Sequence, residues 1–326
     1  MRRSMRRITG CLAALSIAAI PVLVTAQTAS AAPRPARGYV AMGDSFSSGE
    51  GTGVYDASSN NDGNNCHRSP LAYGPLLRAE NTRLRPLSFV ACSGATTQDF
   101  YKASTTDLRE GPQLGALKKN TRVVTLTIGG NDAVFAPVAK ACVQSTNTPG
   151  FGCSLNPQLN ALISARLNAL GGGTGPTDPS IVPIKQILAD IAVKSPRAEI
   201  YLAGYPELFG NDKADVTADQ SAPSGTSCTV YPPLAGRVDY ADTQWINLRT
   251  QQLNALFQTA VGEAVADGVK ATYVAPTGFA GHGLCDSATP WLRPVVTGAG
   301  GIQPESLHPT AAGQESYYAS FQAAIV

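Results

Sequence analysis

The stretch Tyr39–Gly51, YVAMGDSFSSGEG, decides how the rest of the chain is read. Its first four residues suit a buried strand, and the run stops abruptly at Gly43-Asp44-Ser45 before further small residues. A strand that hands over to a small-residue turn can hold Ser45 at the carboxyl edge of a sheet, where ligands and chemistry collect in open α/β folds. A serine in that place is either a nucleophile or an ordinary turn or helix-cap residue. The remaining segments have to decide between the two.

Four further segments share the strand character of Tyr39–Met42: Leu87–Ala91, Arg122–Ile128, Ala198–Ala203 and Ala271–Ala275. Each is rich in β-branched, aromatic or aliphatic residues and ends near Gly, Ser or Pro. Helical patterns lie between them. In Asp242–Asp267, Ile246, Leu253, Leu256, Phe257, Ala260, Val261 and Ala264 recur at helical spacing, and Gly268 can cap the end. A shorter pattern covers Ile181–Val193. Strands alternating with helices predict a parallel sheet covered on both faces, the doubly wound α/β class. Three stretches break the rhythm: Asp56–Asn65, Cys142–Pro179 and Glu207–Gly236. Their Gly, Pro, Asn and Ser content reads as surface loops of one domain, not as linkers between domains.

The first 31 residues read as an export signal. Arg2, Arg3, Arg6 and Arg7 precede an apolar run from Cys11 to Val24, and Ala29-Ser30-Ala31 offers a small-residue cleavage site, so the domain is expected to occupy residues 32–326. The paired arginines permit twin-arginine export, but the general route fits the flanking residues better. Cys11 sits before the apolar core, which argues against a lipid anchor, and no later stretch is long and apolar enough for a membrane helix. The expected product is a secreted protein without stable membrane insertion.

Removing the signal leaves Cys66, Cys92, Cys142, Cys153, Cys228 and Cys285. An even count in an exported chain predicts three disulfides, and pairing neighbours along the chain gives Cys66–Cys92, Cys142–Cys153 and Cys228–Cys285. No CxxC pair and no HxxxH spacing is present, so neither metal nor other cofactor is expected. Asp56 and Asp62, the acidic residues of YDASSNNDGNN, fit no standard calcium loop. The balance of 25 basic and 23 acidic residues shows no basic stripe, which argues against nucleic acid as a partner. Nothing in the chain suggests an obligate assembly, so a monomer is expected.

Three more positions fall on the same sheet edge as Ser45. The third predicted strand ends in TLTIGGNDAVF, whose two glycines allow a tight turn that projects Asn131. The second ends in FVACSGATT, where the Gly94 N–H can point outward. Near the end of the chain, PESLHPTAAGQESYYASF places His308 on a loop that leads, through Pro309 as first helical residue, into a terminal helix. The chain has three histidines; His67 and His282 lie beside cysteines or glycines and read as structural or surface residues. A serine, a histidine, an amide and a free glycine N–H on one edge are the parts of acyl transfer: nucleophile, base and oxyanion donors.

These blocks, GDSFSSGEG, CSGA, GGND and ESLHPT, resemble in their order the four blocks of the SGNH hydrolases, also called the GDSL family. The six cysteines and the GHGLC…PWL stretch look most similar to the secreted actinobacterial lipases and esterases of that family. The resemblance implies a three-layer α/β/α sandwich with a five-stranded parallel sheet, flavodoxin-like in kind. It implies Ser45 as nucleophile, His308 as base, and an oxyanion hole of the Ser45 N–H, the Gly94 N–H and the Asn131 amide. Phe46 replaces the usual leucine of the first block. The third triad member departs further, because Glu305 occupies the position where the family commonly has Asp. Either the Glu305 carboxylate or a backbone carbonyl near Glu305 or Ser306 orients His308; both stay open here, with the backbone version preferred.

The function expected on this reading is that of a secreted serine esterase or lipase cleaving carboxylic esters, with a small-molecule or lipid ester as substrate. A phospholipase or carbohydrate esterase is the alternative within the hydrolases. A non-catalytic binding module is the alternative from another class.

Overall fold

The computed structural model describes residues 36–103, 110–135, 137–139, 142, 152–174, 178–217, 227–231, 236–298 and 301–325. The expected export signal lies outside them. So do residues 143–151 and 218–226, parts of two of the expected loops, and of the strand residues 227–231 only the backbone is described.

All five expected strands form: β1 (Gly38–Gly43), β2 (Leu87–Phe89), β3 (Thr121–Thr127), β4 (Glu199–Ala203), and Ala271–Val274, which is β7 once a peripheral hairpin is counted. They make one parallel sheet in the order β2-β1-β3-β4-β7, with Val40 opposite Ser88 and Val124, Val124 opposite Ile200, and Leu202 opposite Tyr273. β1 lies inside the sheet, and from it the strands run to β2 on one side and to β3, β4 and β7 on the other, so the loops after β1 and β3 diverge across a crevice at the carboxyl edge. The first of those loops carries Ser45. Val40, Met42, Val124, Leu126 and Leu202 are at most 2% exposed, as a sheet buried on both faces requires.

The helices whose bounds are described are α1 (Ser45–Ser48), α2 (Tyr73–Glu80), α3 (Pro157–Leu170), α4 (Ile184–Lys194), α5 (Lys213–Thr217), α6 (Tyr240–Ala266) and α7 (Ala311–Ala324). One layer is built by α2 and α7, the other by α4 and α6. In the first, Phe321 of α7 stacks on Tyr73 of α2 at 4.4 Å, and Tyr317 lies 5.8 Å from the same ring. Each such aromatic pair adds about 1 kcal/mol beyond the area it buries. In the second layer, α6 buries Ile246, Leu253, Phe257, Ala260, Val261 and Ala264 on one face. Its end comes where Gly268 adopts φ +87° and donates its N–H to Val265 O, as the sequence suggested.

Two of the expected loops contain regular structure. The 142–179 stretch holds α3, 14 residues long, with Asn156 as N-cap accepting from the Leu159 N–H and Pro157 at the first position. Its buried residues Ile163, Leu167 and Leu170 have helical spacing, but Asn and Gln neighbours and the glycine run at its end mask the pattern. The 207–236 stretch holds α5 and β5 (Ser227–Tyr231), which pairs antiparallel with β6 (Gly236–Asp239). Among the described residues that hairpin pairs with itself alone, so it carries no alternation against the main core. The terminal helix starts at Ala311 and not, as expected, at Pro309; Thr310 is its N-cap and accepts from the Gly313 N–H.

Cys66–Cys92 and Cys142–Cys153 are disulfides, as paired from the sequence. Cys285 is also disulfide-bonded. Its expected partner, Cys228, lies on β5, whose side chains fall outside the described residues. No helix among the described residues is long and apolar enough to cross a membrane.

Candidate active site

The turn after β1 is forced by its backbone. Gly43 adopts φ +119°, and a Cβ there would stand 2.2 Å from Thr127 O, so no other residue fits between β1 and β3. The Gln113 side chain grips the same residue from the other side, accepting from the Gly43 N–H at 2.6 Å and donating to Gly43 O at 2.8 Å. The chain then turns into α1, and Asp44 is its N-cap, accepting from the Phe46 N–H at 3.0 Å. Ser45 is therefore the first residue of a helix, with its N–H at the positive end of the turn and no protein acceptor among the described residues.

Asp44 is 1% exposed. It accepts from Thr127 Oγ1 at 2.7 Å and from the Tyr205 hydroxyl, which follows β4. The same Tyr205 oxygen accepts the Gly130 N–H at 3.0 Å. One buried carboxylate thus ties the ends of β1, β3 and β4 together beneath Ser45. Burial pushes the Asp44 carboxyl up to about 6 against the pull of these donors.

His308 comes from the loop before α7. Its Nε2 accepts from the Ser45 hydroxyl at 2.7 Å, and its Nδ1–H donates to the Ser306 carbonyl at 3.0 Å, which fixes the tautomer. Leu307 between them has φ +66°, a costly conformation for leucine that turns the carbonyl of residue 306 toward the ring of residue 308. The loop is held in that shape by Arg293, whose N–H donates to His308 O at 2.9 Å and whose carbonyl accepts from the Leu307 N–H at 3.0 Å. Ser306 Oγ also donates to Val296 O at 3.1 Å and accepts from its N–H at 2.9 Å. The Glu305 carboxylate makes no hydrogen bond to the imidazole and acts on it only as a nearby charge. Desolvation lowers the His308 pKa from its ordinary value; the charge of Glu50, the Ser306 and Pro304 carbonyls and the charge of Glu305 oppose that fall.

Gly94 and Asn131 lie at the same cavity as Ser45 and His308. The Asn131 amide donates to Ala95 O at 2.8 Å, which orients it and fixes the loop that carries Gly94. The next residue, Asp132, clamps that loop a second time, accepting from the Thr97 N–H at 2.9 Å and from Thr97 Oγ1 at 2.7 Å. The Gly94 N–H has no protein acceptor among the described residues. The cavity measures about 220 Å³, and its walls away from the polar groups are Phe46, Phe135, Ala139, Leu208 and Leu307. Such an apolar space beside a few convergent polar groups suits an acyl chain.

Ser45, Gly94, Asn131 and His308 meet at one cavity, whereas Glu305, the fifth candidate from the sequence, does not line it. The supporting residues Asp44, Asp132 and Tyr205 were not singled out. Asp44 carried a usable signal, because an aspartate just before a helix start is an N-cap pattern. Tyr205 carried none, since its partner lies 161 residues away.

Residues 41–315 match the GDSL-like Lipase/Acylhydrolase family. Lipase 1 of Streptomyces coelicolor is 33% identical over 316 residues, 96% of each chain. The lipase of Streptomyces rimosus is 33% identical over 319 residues, 98% of this chain and 97% of the other. Among solved structures, the extracellular lipase of S. rimosus superposes with a TM-score of 0.62 at 29% identity, covering 89% of this chain and 100% of that one. Phospholipase A1 of Streptomyces albidoflavus gives 0.62 at 30% identity, with 88% and 99% covered. A match across most of the domain, on a fold that carries the family's blocks to one cavity, makes this chain a member of the GDSL-like lipase/acylhydrolase family and a carboxylic ester hydrolase.

Proposed function

We propose that the protein is an exported lipase or esterase that cleaves carboxylic esters through an acyl-enzyme on Ser45. The observation that carries the reading is the relay from Ser45 Oγ to His308 Nε2 at 2.7 Å and from His308 Nδ1 to Ser306 O at 3.0 Å. His308 takes the hydroxyl proton as Ser45 Oγ attacks the ester carbonyl. The oxyanion is received by the N–H groups of Ser45 and Gly94 and by the Asn131 amide. The imidazolium then gives its proton to the departing alcohol, and water, activated by the same imidazole, releases the acid. In this dyad the Ser306 carbonyl takes the orienting role of a triad carboxylate. Export is supported by the arginine-led apolar N-terminus in the sequence and by the disulfides Cys66–Cys92 and Cys142–Cys153, which persist in oxidising compartments.

The apolar walls favour a fatty acyl chain over acetate, and the likeness to a phospholipase A1 supports a phospholipid acyl ester as one form of that substrate. The test is hydrolysis of p-nitrophenyl esters from acetate to palmitate by the wild type and by Glu305→Gln. Cleavage that improves beyond acetate is expected. Glu305→Gln is expected to stay within about fivefold of wild type, since a partly exposed charge without a hydrogen bond is worth about 1 kcal/mol or less. A collapse of folded Glu305→Gln would contradict the backbone-oriented dyad. Failure of the wild type on every ester would contradict the substrate class.

A further inference from the structure

One buried carboxylate beside the site has no part in the mechanism so far. Glu50 is 0% exposed and sits just beyond α1. Its Oε1 accepts from the Tyr55 hydroxyl at 2.9 Å and its Oε2 pairs with His67 Nδ1 at 2.6 Å, with the Ser93 side chain nearby as a further influence that favours the charged form. The His67 and Tyr55 rings stack at 4.8 Å, which closes this cluster on its outer side. Toward the site, Ser93 immediately precedes Gly94 and lines the same cavity. Gly51, the residue after Glu50, lies flat against the base: a Cβ there would come within 2.9 Å of His308 Cβ and 2.6 Å of Pro309 O.

Burying a carboxylate without a functional return is costly, and here the surroundings are arranged to keep it charged. Desolvation opposes ionisation, but the His67 hydrogen bond, the charges of His308 and His67, and the Ser93 hydroxyl outweigh it and hold the Glu50 carboxyl below its ordinary range. The Glu50 hydrogen bond holds His67 above its ordinary value, against desolvation. The groups that face His308 are few. They are Glu50 and Glu305 as charges, the Ser306 and Pro304 carbonyls, the Ser45 hydroxyl, and the Phe46 ring at 5.1 Å. The Arg293 guanidinium donates to Gly51 O and stays a positive charge beside this loop.

We propose that Glu50 is a positioning carboxylate of this esterase: buried behind Ser93 and Gly51, it stabilises the imidazolium that forms on His308 when Ser45 attacks. It supplies the negative charge that the Ser306 carbonyl, a neutral acceptor, does not bring to Nδ1. No proton passes to or from Glu50; its action is electrostatic. His67 sets the strength of the field, because as a cation it offsets the charge of its partner.

The proposal rests on the Ser45–His308 reading, and its deciding readout needs no ester. With only three histidines in the chain, each imidazole can be followed by NMR as a function of pH. In Glu50→Gln, which keeps the shape and a hydrogen-bonding side chain, the His308 midpoint is expected to fall by about one pH unit. The acid limb of kcat/KM should move down with it, and the plateau kcat should drop about tenfold with KM little changed. Glu50→Asp, which retains the charge, is expected to recover most of the midpoint. In His67→Gln the midpoint is expected to rise instead, because His67 is already cationic where His308 titrates. A merely structural Glu50 would leave the midpoint in place. An unmoved His308 midpoint in folded Glu50→Gln, or in His67→Gln should the first variant not fold, overturns the proposal. If the wild type proves unable to cleave esters while the midpoints move as stated, the esterase reading fails and the electrostatic coupling stands.

Discussion

Ser45→Ala is expected to lower kcat about a millionfold while leaving the protein as stable as the wild type. The change removes one oxygen whose side-chain hydrogen bond is to His308 Nε2. Alanine is tolerated at the first position of α1, and the Asp44 cap with its bonds to Phe46, Thr127 and Tyr205 is untouched. The Ser45 N–H remains as an oxyanion donor, so a residual rate of about 10³–10⁴ over the uncatalysed reaction should survive. Steady-state kinetics beside a thermal melt separate the two effects. A folded Ser45→Ala protein that still turned over esters at a sizeable fraction of the wild-type rate would remove Ser45 from the mechanism.

Asn131→Ala is the second large loss expected, about 10²–10³ in kcat with KM little affected. A side-chain amide aimed at an oxyanion is worth about 2.7–4 kcal/mol in the transition state and little in the ground state. The confounding risk is that Asn131 also donates to Ala95 O, so its loss could release the loop carrying Gly94. The neighbouring clamp from Thr97 to the buried Asp132 holds that loop independently. The effect should therefore appear in kcat and not in the melting temperature. Wild-type kcat in a folded Asn131→Ala protein would take the amide out of the oxyanion hole.

The parts of this molecule that were legible in the sequence are those whose signal is local. β1, β3 and β4 are short apolar runs that stop at glycine or small residues, and their bounds fall within a residue or two of the reading. The turn at Gly43 and the loop at His308 each carry their chemistry within a few residues of a strand or helix end, so topology alone brought Ser45 and His308 to one edge. What escaped depends on distant partners. Tyr205 looks like any aromatic after a strand until Asp44 is found beneath it. His67 reads as a loop residue beside a disulfide until Glu50 is seen at 2.6 Å. The Ser306 carbonyl is a different case, because every residue has a carbonyl and no side chain announces its use. Only the Leu307 backbone, strained at φ +66°, distinguishes that carbonyl from its neighbours.

The central claim is that Ser45, activated by His308, forms the covalent intermediate. Treating the intact protein with a fluorophosphonate and locating the adduct by peptide mass spectrometry tests it most directly. A single stoichiometric adduct on Ser45 is expected, formed in step with the loss of esterase activity and absent from His308→Ala. Activity lost with Ser45 unmodified, or an adduct on another residue, would contradict it.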